Sequence, residues 1–318
     1  IAPYDPWTRF EDYKNAPPQR IRIYSVEDGF QGPFIYGMEE KMDMETFRKT
    51  FVEDRKAKFP VRLFVRGEEY KLWGLLPGEL HLFGAEGSPI VLFGTAELGR
   101  DLFSRVIYGA RISLTIGLVG VFLSFLLGIL LGGISGYFGG FVDEIIQRSI
   151  DFLVSIPTIP LWMSLSAAIP QNWPVTKTYF AITIILSLVG WGGLARVVRG
   201  RLLSLREEDF ILAAKLNGAG EWRIITRHML PSFISHLIAQ ITLSIPGMIL
   251  GETSLSFLGL GLRPPAVSWG VLLQDAQQVI AVAHYSWRLI PALFIIVTVI
   301  SFNFLGDGLR DAADPYSR

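Results

Sequence analysis

Five stretches of this sequence contain no charged residue, and each is long enough to cross a membrane as a helix. They lie between Arg111 and Asp143 and over Phe152–Thr176, Thr178–Ala195, His228–Gly251 and Leu289–Gly306. A helix needs roughly 20 apolar residues to cross the hydrocarbon core of a bilayer. A soluble protein with buried helices is the alternative, but such helices usually run only about 10 to 14 residues. The pattern predicts an all-α membrane protein with five transmembrane helices in this sequence.

Small residues recur at every fourth position in the first of these stretches. They are Gly120, Ser124, Gly128, Gly132, Gly136 and Gly140. In lipid such a stripe lets two helices approach closely. In water each glycine would cost roughly 1 kcal/mol of helix stability relative to alanine. The stripe therefore predicts a close helix contact within the membrane.

Basic residues after the Thr178–Ala195 stretch predict the orientation of the chain. They are Arg196, Arg199, Arg201 and Arg206. Basic residues next to a span favour the cytosolic side, so we expect the loop 196–231 and the C-terminus in the cytosol. Residues 1–93 are then extracytoplasmic. A chain that starts outside has to be exported by something upstream, so we also expect a further transmembrane helix before Ile1.

Residues 1–93 are more charged and aromatic than the rest, and we expect them to form an extracytoplasmic insert. Alternating apolar and polar residues over Arg20–Tyr24 and Val61–Val65 predict short strands. Met42–Lys56 is predicted to be a helix. The insert is therefore expected to be a small α+β lobe, followed by a transmembrane domain over 94–318.

Several kinds of chemistry are excluded by what the sequence lacks. Cysteine is absent, which excludes disulfides and thiolate ligands. The four histidines show neither helical i, i+4 pairing nor clustered carboxylates, so we predict no metal site. Neither a G-x-S-x-G elbow nor a G-x-x-x-x-G-K-[ST] phosphate loop occurs. Lys plus Arg and Asp plus Glu both number 29, and this balance gives no argument for nucleic-acid binding.

The predicted cytosolic loop contains a segment, Glu207–Ser232, with the pattern of two short helices around a turn. Three acidic residues suit a helix N-terminus, Phe210–Leu216 has a helical pattern, and Asn217–Gly220 is a natural breaker. The small side chains of Ala213 and Ala214 would let another surface approach the backbone closely. The alternative is a solvated connecting hairpin that binds nothing.

This segment resembles the EAA signature of ABC importer permeases, which reads Glu-Ala-Ala, three residues, Gly, nine residues and Ile-x-Leu-Pro. The positions that match are Ala213, Ala214, Gly218, Leu230 and Pro231. Leu212 replaces the glutamate of the signature, and His228 replaces its isoleucine. The resemblance implies that the segment docks on an ATPase, with the five matching residues at the contact or in its turn.

Three further stretches resemble the C-type permease of dipeptide, oligopeptide and nickel importers. They are GTAELGRDLFSRVIYGARISL from Gly94, GETSLSFLGLGLRPPAVSWG from Gly251 and LGDGLRDAADP from Leu305. Ala96 stands where the family more often has aspartate, and the exported insert is longer than usual. The resemblance implies the type I ABC importer permease fold.

The same resemblance implies a transport subunit rather than an enzyme. Such a permease forms a heterodimer with a B-type permease, receives cargo from an extracytoplasmic substrate-binding protein, and is driven by two ATP-binding subunits. ATP and magnesium would be bound by those partner subunits, so no cofactor is expected in this chain. The cargo would be peptides or, alternatively, oligosaccharides, while opines and nickel stay open. The implied location is the inner membrane.

Two acidic residues are candidates for a cavity or a gate. Glu252 lies between two apolar stretches, where it would either face a cavity at membrane depth or cap or pack a helix. Glu144, Arg148 and Asp151 are spaced to pair along one helical face. That spacing leaves open a gate or inter-subunit contact at Asp151 and a plain ladder of ion pairs.

Two other classes of function have weaker support in the sequence. Gly306–Gly308 reads Gly-Asp-Gly, as in an aspartyl intramembrane protease, but no second intramembrane aspartate accompanies it. An ion-driven carrier would need ionisable residues in paired half-repeats, and the sequence has neither.

Overall fold

The computed structural model describes residues 2–25, 29–44, 48–72 and 76–313. Its strands are β1 (Arg22–Ser25), β2 (Gly29–Asp43), β3 (Arg48–Leu72) and β4 (Leu76–Ala85). Its α-helices are α1 (Leu102–Phe138), α2 (Gly140–Ser155), α3 (Thr158–Ala167), α4 (Val175–Leu205), α5 (Asp209–Leu216), α6 (Glu221–Arg223), α7 (Ile234–Phe257), α8 (Trp269–Ala276), α9 (Val279–His284) and α10 (Ile290–Ala313).

The chain divides into two units. The first combines Ile1–Ile112 with Ala266–Phe294, and the second combines Ser113–Pro265 with Ile295–Arg318. The first unit contains an antiparallel sheet in the order β1-β2-β3-β4. β3 is long enough to pair with β2 through its first part and with β4 through its second. The core beside the sheet is formed by Ile35, Val61, Phe83 and Ile90.

The predicted helix over Met42–Lys56 is wrong. The described residues of this stretch belong mainly to β2 and β3, which place Glu40 opposite Phe51. An ion pair of 2.5 Å between Lys49 Nζ and Glu40 Oε1 crosses the same pair of strands. Aromatic and β-branched residues at 50–52 favour a strand once a partner strand is available. In the described part of 1–93 there is no α-helix, so the insert there is β rather than α+β. The strands predicted near Arg20–Tyr24 and Val61–Val65 are confirmed.

Within the described part of the chain, four helices are long and apolar enough to cross a membrane: α1, α4, Glu221–Phe257 and Ser286–Ala312. α2 and α3 pass the same test only as a pair, and they meet at an angle of 88°. The described residues thus contain four candidate spans, or five if the bent pair is one span. The predicted Phe152–Thr176 span is not a straight helix because Ile156 is extended, with φ −93° and ψ 130°. Ile156 precedes Pro157, and a proline ring disfavours the helical conformation of the residue before it.

The stripe of small residues in α1 lies against α4. A Cβ on Gly132 would lie 2.4 Å from the carbonyl oxygen of Ala195, and one on Gly136 would lie 2.8 Å from that of Arg199. Ser124 Oγ donates a hydrogen bond of 3.1 Å to the Ser187 carbonyl. The close helix contact is confirmed, and only residues without a bulky side chain permit it.

The helix that leads into α7 changes its hydrogen-bonding pattern near Pro231. After α6 the chain is a π-helix over Ile224–Met229 and a 3-10 helix over Leu230–Phe233, and α7 then begins. Proline has no N–H to donate, and its ring collides with the carbonyl four residues earlier. A regular α-helical ladder therefore cannot run through this position.

Candidate functional site

The segment singled out by the sequence forms a short helix, a tight turn and a second helical stretch. α5 ends where the Asn217 N–H donates to Ala213 O at 3.0 Å and the Gly218 N–H donates to Lys215 O at 2.9 Å. Gly218 has a φ of +75°, a left-handed conformation that glycine adopts without steric cost. The predicted helix and its breaker are confirmed.

One face of α5 is buried within the second unit. Ile211 is fully buried in a hydrophobic cluster that includes Leu202 of α4 and Leu237 of α7. Tyr137 at the end of α1 and Met229 of the π-helical stretch belong to the same cluster. A fully buried aliphatic side chain contributes roughly 1.5–3 kcal/mol relative to an exposed one. α5 is therefore fixed to the ends of three helices that are long enough to cross a membrane.

Away from Ile211, this segment exposes large apolar side chains. Leu216 is 89% exposed and Trp222 is 64% exposed, and Phe210 and Leu212 are also exposed. None of these four residues was predicted from the sequence to contact a partner. The sequence did contain a signal for them, because apolar residues occur at every turn of a short predicted helix that has charged residues at both ends. We call Phe210, Leu212, Leu216 and Trp222 the exposed apolar face.

The structure separates the five residues that match the signature into two groups. Ala213, Gly218 and Pro231 are exposed. Ala214 and Leu230 are half-buried and pack against the hydrophobic cluster around Ile211. The signature thus combines residues that are free to meet a partner with residues that hold the segment to the rest of the chain.

Charged groups connect the end of α1 to the same segment. Lys215 Nζ lies 5.8 Å from the ring centroid of Tyr137. Arg206 Nη1 donates to the Tyr137 carbonyl at 3.4 Å. These residues, with Glu221 and Ile224, line an open cavity of about 510 Å³. A cation over an aromatic ring is favourable, so these contacts add to the apolar attachment of α5.

The two aspartates of α2 pair with arginines of α4. Asp143 accepts two hydrogen bonds from Arg199, and Asp151 pairs with Arg196. Glu144 and Arg148 form an exposed pair of 3.7 Å. From the sequence, the arginines predicted only the orientation of the chain, and their pairing with α2 was not predicted. A gating role for Asp151 stays a prediction.

Glu252 is fully buried on α7. Its Oε2 accepts a hydrogen bond of 3.2 Å from Ser113 Oγ, and its Oε1 accepts one of 2.8 Å from Ser256 Oγ. Ser256 Oγ in turn accepts from the Leu262 N–H at 3.0 Å. Hydroxyl donors offset part of the cost of burying a carboxylate. This placement agrees with a packing role, and a cavity-facing role stays a prediction.

No group of three or more His, Asp or Glu residues that could hold a metal ion occurs among the described residues. His81, in the first unit, directs its two ring nitrogens at the backbone carbonyls of Ala2 and Glu68. Asp307 is exposed on α10.

Comparison with known proteins finds relatives that agree with one another in their description. Residues 128–318 match the family described as binding-protein-dependent transport system inner membrane component. The chain is 44% identical to the dipeptide transport system permease protein of Bacillus subtilis, over 71% of this chain and 69% of that protein. It is 42% identical to the oligopeptide transport system permease protein of Haemophilus influenzae, over 71% of this chain and 70% of that protein.

A structural neighbour is the MetNI methionine ABC transporter in an inward-facing conformation. The TM-score is 0.52, and the match covers 66% of this chain and 96% of that chain. Sequence identity is 17%, so this likeness concerns the fold alone.

Proposed function

The chain belongs to the family of binding-protein-dependent transport system inner membrane components, and we propose that this subunit passes short peptides through the membrane while a partner ATPase drives it from α5. Within the family it is a C-type ABC permease, a multi-pass inner-membrane subunit with the type I ABC importer fold. Its relatives are transport permeases rather than enzymes.

The observation that carries the proposal is that α5 buries one side and exposes large apolar side chains on the other. The exposed apolar face presents Leu216 and Trp222, and exposed apolar patches on a soluble surface mark interaction sites. The other side buries Ile211 among residues of α1, α4 and α7. A surface built only as a tether would not need large apolar side chains on its solvent side.

Close packing would couple a displacement of α5 to the helices that it packs against. Protein interiors are as dense as organic crystals and transmit displacement with little compression. A push on Leu216 would reach α4 and α7 through Ile211 and its neighbours. Rigid-body movement of packed helices is an established way to switch between two states. We infer that closure of the ATPases moves α5 and thereby alternates access to the pore.

Peptides are the favoured cargo. The relatives named above are described as dipeptide and oligopeptide permeases, which favours peptides over the oligosaccharide alternative. An intramembrane enzyme has no support, because the relatives named above are transport permeases.

The proposed assembly contains a B-type permease, two ATP-binding subunits and an extracytoplasmic substrate-binding protein. The ATP-binding subunits would hold ATP and magnesium. The loop 196–231 and the C-terminus face them from the cytosol, and residues 1–93 face the binding protein. The family signature and the arginines at the end of α4 support this orientation.

The proposal is tested by reconstituting the chain with these partners in proteoliposomes. The measurements are ATP hydrolysis and uptake of a labelled dipeptide, with labelled cellobiose as the oligosaccharide arm. Leu216→Asp places a charge on the exposed apolar face and is expected to lower dipeptide-stimulated hydrolysis and uptake about tenfold, as for an interface weakened by about 1.4 kcal/mol.

Leu216→Met is the matched control, because it keeps the face apolar and should retain both activities. Uptake by Leu216→Asp at the wild-type rate would contradict docking at α5. Uptake of cellobiose instead of the dipeptide would contradict the assignment of cargo.

A further inference from the structure

A cavity of about 360 Å³ lies within the second unit, between the segment that joins α3 to α4 and the segment that follows α7. This volume falls in the range of small-molecule sites, about 300–1,000 Å³. Its wall is largely apolar and includes Trp173 and Leu262. The polar side chains on it are those of Ser166, Gln171, Thr178 and Arg263.

Ser166 contributes a buried hydroxyl that lacks a partner. The residue is 3% exposed, and its Oγ makes no hydrogen bond within the described part of the chain. Ser164, on the same helix, bonds its hydroxyl to the Pro160 carbonyl at 2.9 Å. Buried hydroxyls are normally satisfied because an unpaired one is costly. The Ser166 hydroxyl therefore has unused hydrogen-bonding capacity at the wall of the cavity.

Of the described residues that line this cavity, Arg263 alone is charged. Its Nε–H donates to the Gly259 carbonyl at 3.0 Å, which anchors the guanidinium at the wall. A guanidinium matches a carboxylate in both charge and geometry. Because the remaining wall is largely apolar, the fitting ligand has one carboxylate and an apolar body.

We propose that this cavity is a subsite for the carboxylate end of a short peptide. Arg263 pairs with the terminal carboxylate, the Ser166 hydroxyl donates a hydrogen bond to it, and Trp173 and Leu262 pack against the last side chain. The inference rests on the proposed function. In the predicted orientation the subsite lies at the extracytoplasmic end of the permease, where cargo arrives.

The test uses the purified membrane complex of both permeases and both ATPases, without the binding protein, so that only the membrane subunits select the ligand. Equilibrium binding of tritiated leucyl-leucine is compared with that of leucyl-leucine amide. The amide is expected to bind at least tenfold more weakly, and Arg263→Gln is expected to weaken binding of the acid by a similar factor. The amide arm needs no variant and so cannot fail through misfolding.

Two variants separate binding from structure and from general charge. Ser166→Ala should weaken binding several-fold while leaving the Tm equal or higher, because it removes an unpaired buried hydroxyl. Lys177→Gln removes an exposed positive charge beside the cavity but not on its wall, and should bind normally. If Ser166 only stabilised the fold, Ser166→Ala would lower the Tm and leave the affinity unchanged.

Equal affinity for acid and amide, or wild-type affinity in Arg263→Gln, would overturn the subsite. Failure of the proposed function is distinguishable, since it would appear in the wild-type complex as an absence of dipeptide-stimulated ATP hydrolysis. Normal dipeptide-stimulated hydrolysis, together with binding that is unaffected by the amide or by Arg263→Gln, would refute the subsite and leave the proposed function standing.

Discussion

Arg199 of α4 holds Asp143 of α2 through two parallel hydrogen bonds, Nε to Oδ1 and Nη2 to Oδ2, each 2.5 Å long. The two side chains are 31% and 16% exposed. The Ser135 hydroxyl of α1 also donates to Asp143. Two-point pairs between arginine and carboxylate are stronger and more directional than single contacts. This pair therefore fixes α2 against both α1 and α4.

We expect Arg199→Lys to destabilise the chain, because lysine cannot form the two-point contact. The loss should be about 1–2 kcal/mol in the free energy of unfolding, measured by chemical denaturation in detergent. Arg148→Lys is the control, since the exposed pair with Glu144 contributes about 0.5 kcal/mol or less. The double variant Asp143→Arg with Arg199→Asp exchanges the two partners. It should recover part of the stability that is lost in the corresponding single variants. An equal effect of the two lysine variants would contradict the special role of the pair.

Two adjacent glycines of α1 give a sharp test of helix packing. Gly132→Ala would place a Cβ 2.4 Å from the Ala195 carbonyl oxygen, a backbone atom that cannot move aside alone. We expect it to lower the yield of folded protein and the Tm. Gly133→Ala meets only Leu202 Cδ1, at 3.9 Å, and should be neutral or stabilising by up to about 1 kcal/mol. Similar Tm values for the two variants would show that α1 and α4 are not in such close contact.

The turn after α5 can be tested in the same paired way. Gly218 and Gly220 both have open space where a Cβ would lie, but Gly218 has a φ of +75° and Gly220 one of −65°. Gly218→Ala should strain the turn by roughly 1 kcal/mol, whereas Gly220→Ala should not. We expect fewer dipeptides transported per ATP hydrolysed in the first variant only. Identical ratios in both variants would show that the turn conformation does not matter for coupling.

The first unit should respond to pH through Asp101, which precedes α1. Burial raises the pKa of Asp101 from 3.8 to about 6, although the Ser104 N–H donates to its carboxylate at 2.7 Å. The native state thus binds the proton more tightly than the unfolded state does. The free energy of unfolding should therefore fall as pH rises from about 4 to about 6, by about 3 kcal/mol at most.

Asp101→Asn should remove this part of the pH dependence while keeping an acceptor for the Ser104 N–H. Asp12→Asn, at an exposed carboxylate of the same unit, should leave the pH dependence of unfolding as it is in the wild type. Unfolding curves at pH 4, 5 and 6 would measure both. A wild-type slope in Asp101→Asn would contradict the assignment.

The sequence predicted features that depend on neighbours along the chain. Missing charges between Arg111 and Asp143 located α1, the spacing of Gly132 and Gly136 predicted its packing stripe, and an Asn-Gly step located the end of α5. Each of these signals is local, because helix periodicity and turn chemistry act over a few residues.

Features set by distant partners were missed. Lys49 and its neighbours form a strand because β2 lies beside them, which local pattern did not show. Asp143 and Arg199 are 56 residues apart, and nothing near either residue indicates the other. The buried and exposed sides of α5 could not be told apart from the sequence either, since burial of Ile211 depends on where α4 and α7 pass.

The two faces of α5 constrain evolution in different ways. In the proposed assembly, a change at Leu212 or Leu216 has to be matched in another gene, that of the ATPase. A change at Ile211 has to be matched within this chain, by the residues that enclose it. Exchanging ATPases between related importers would then require substitutions only on the outward side of one short helix, and the pore could stay as it is.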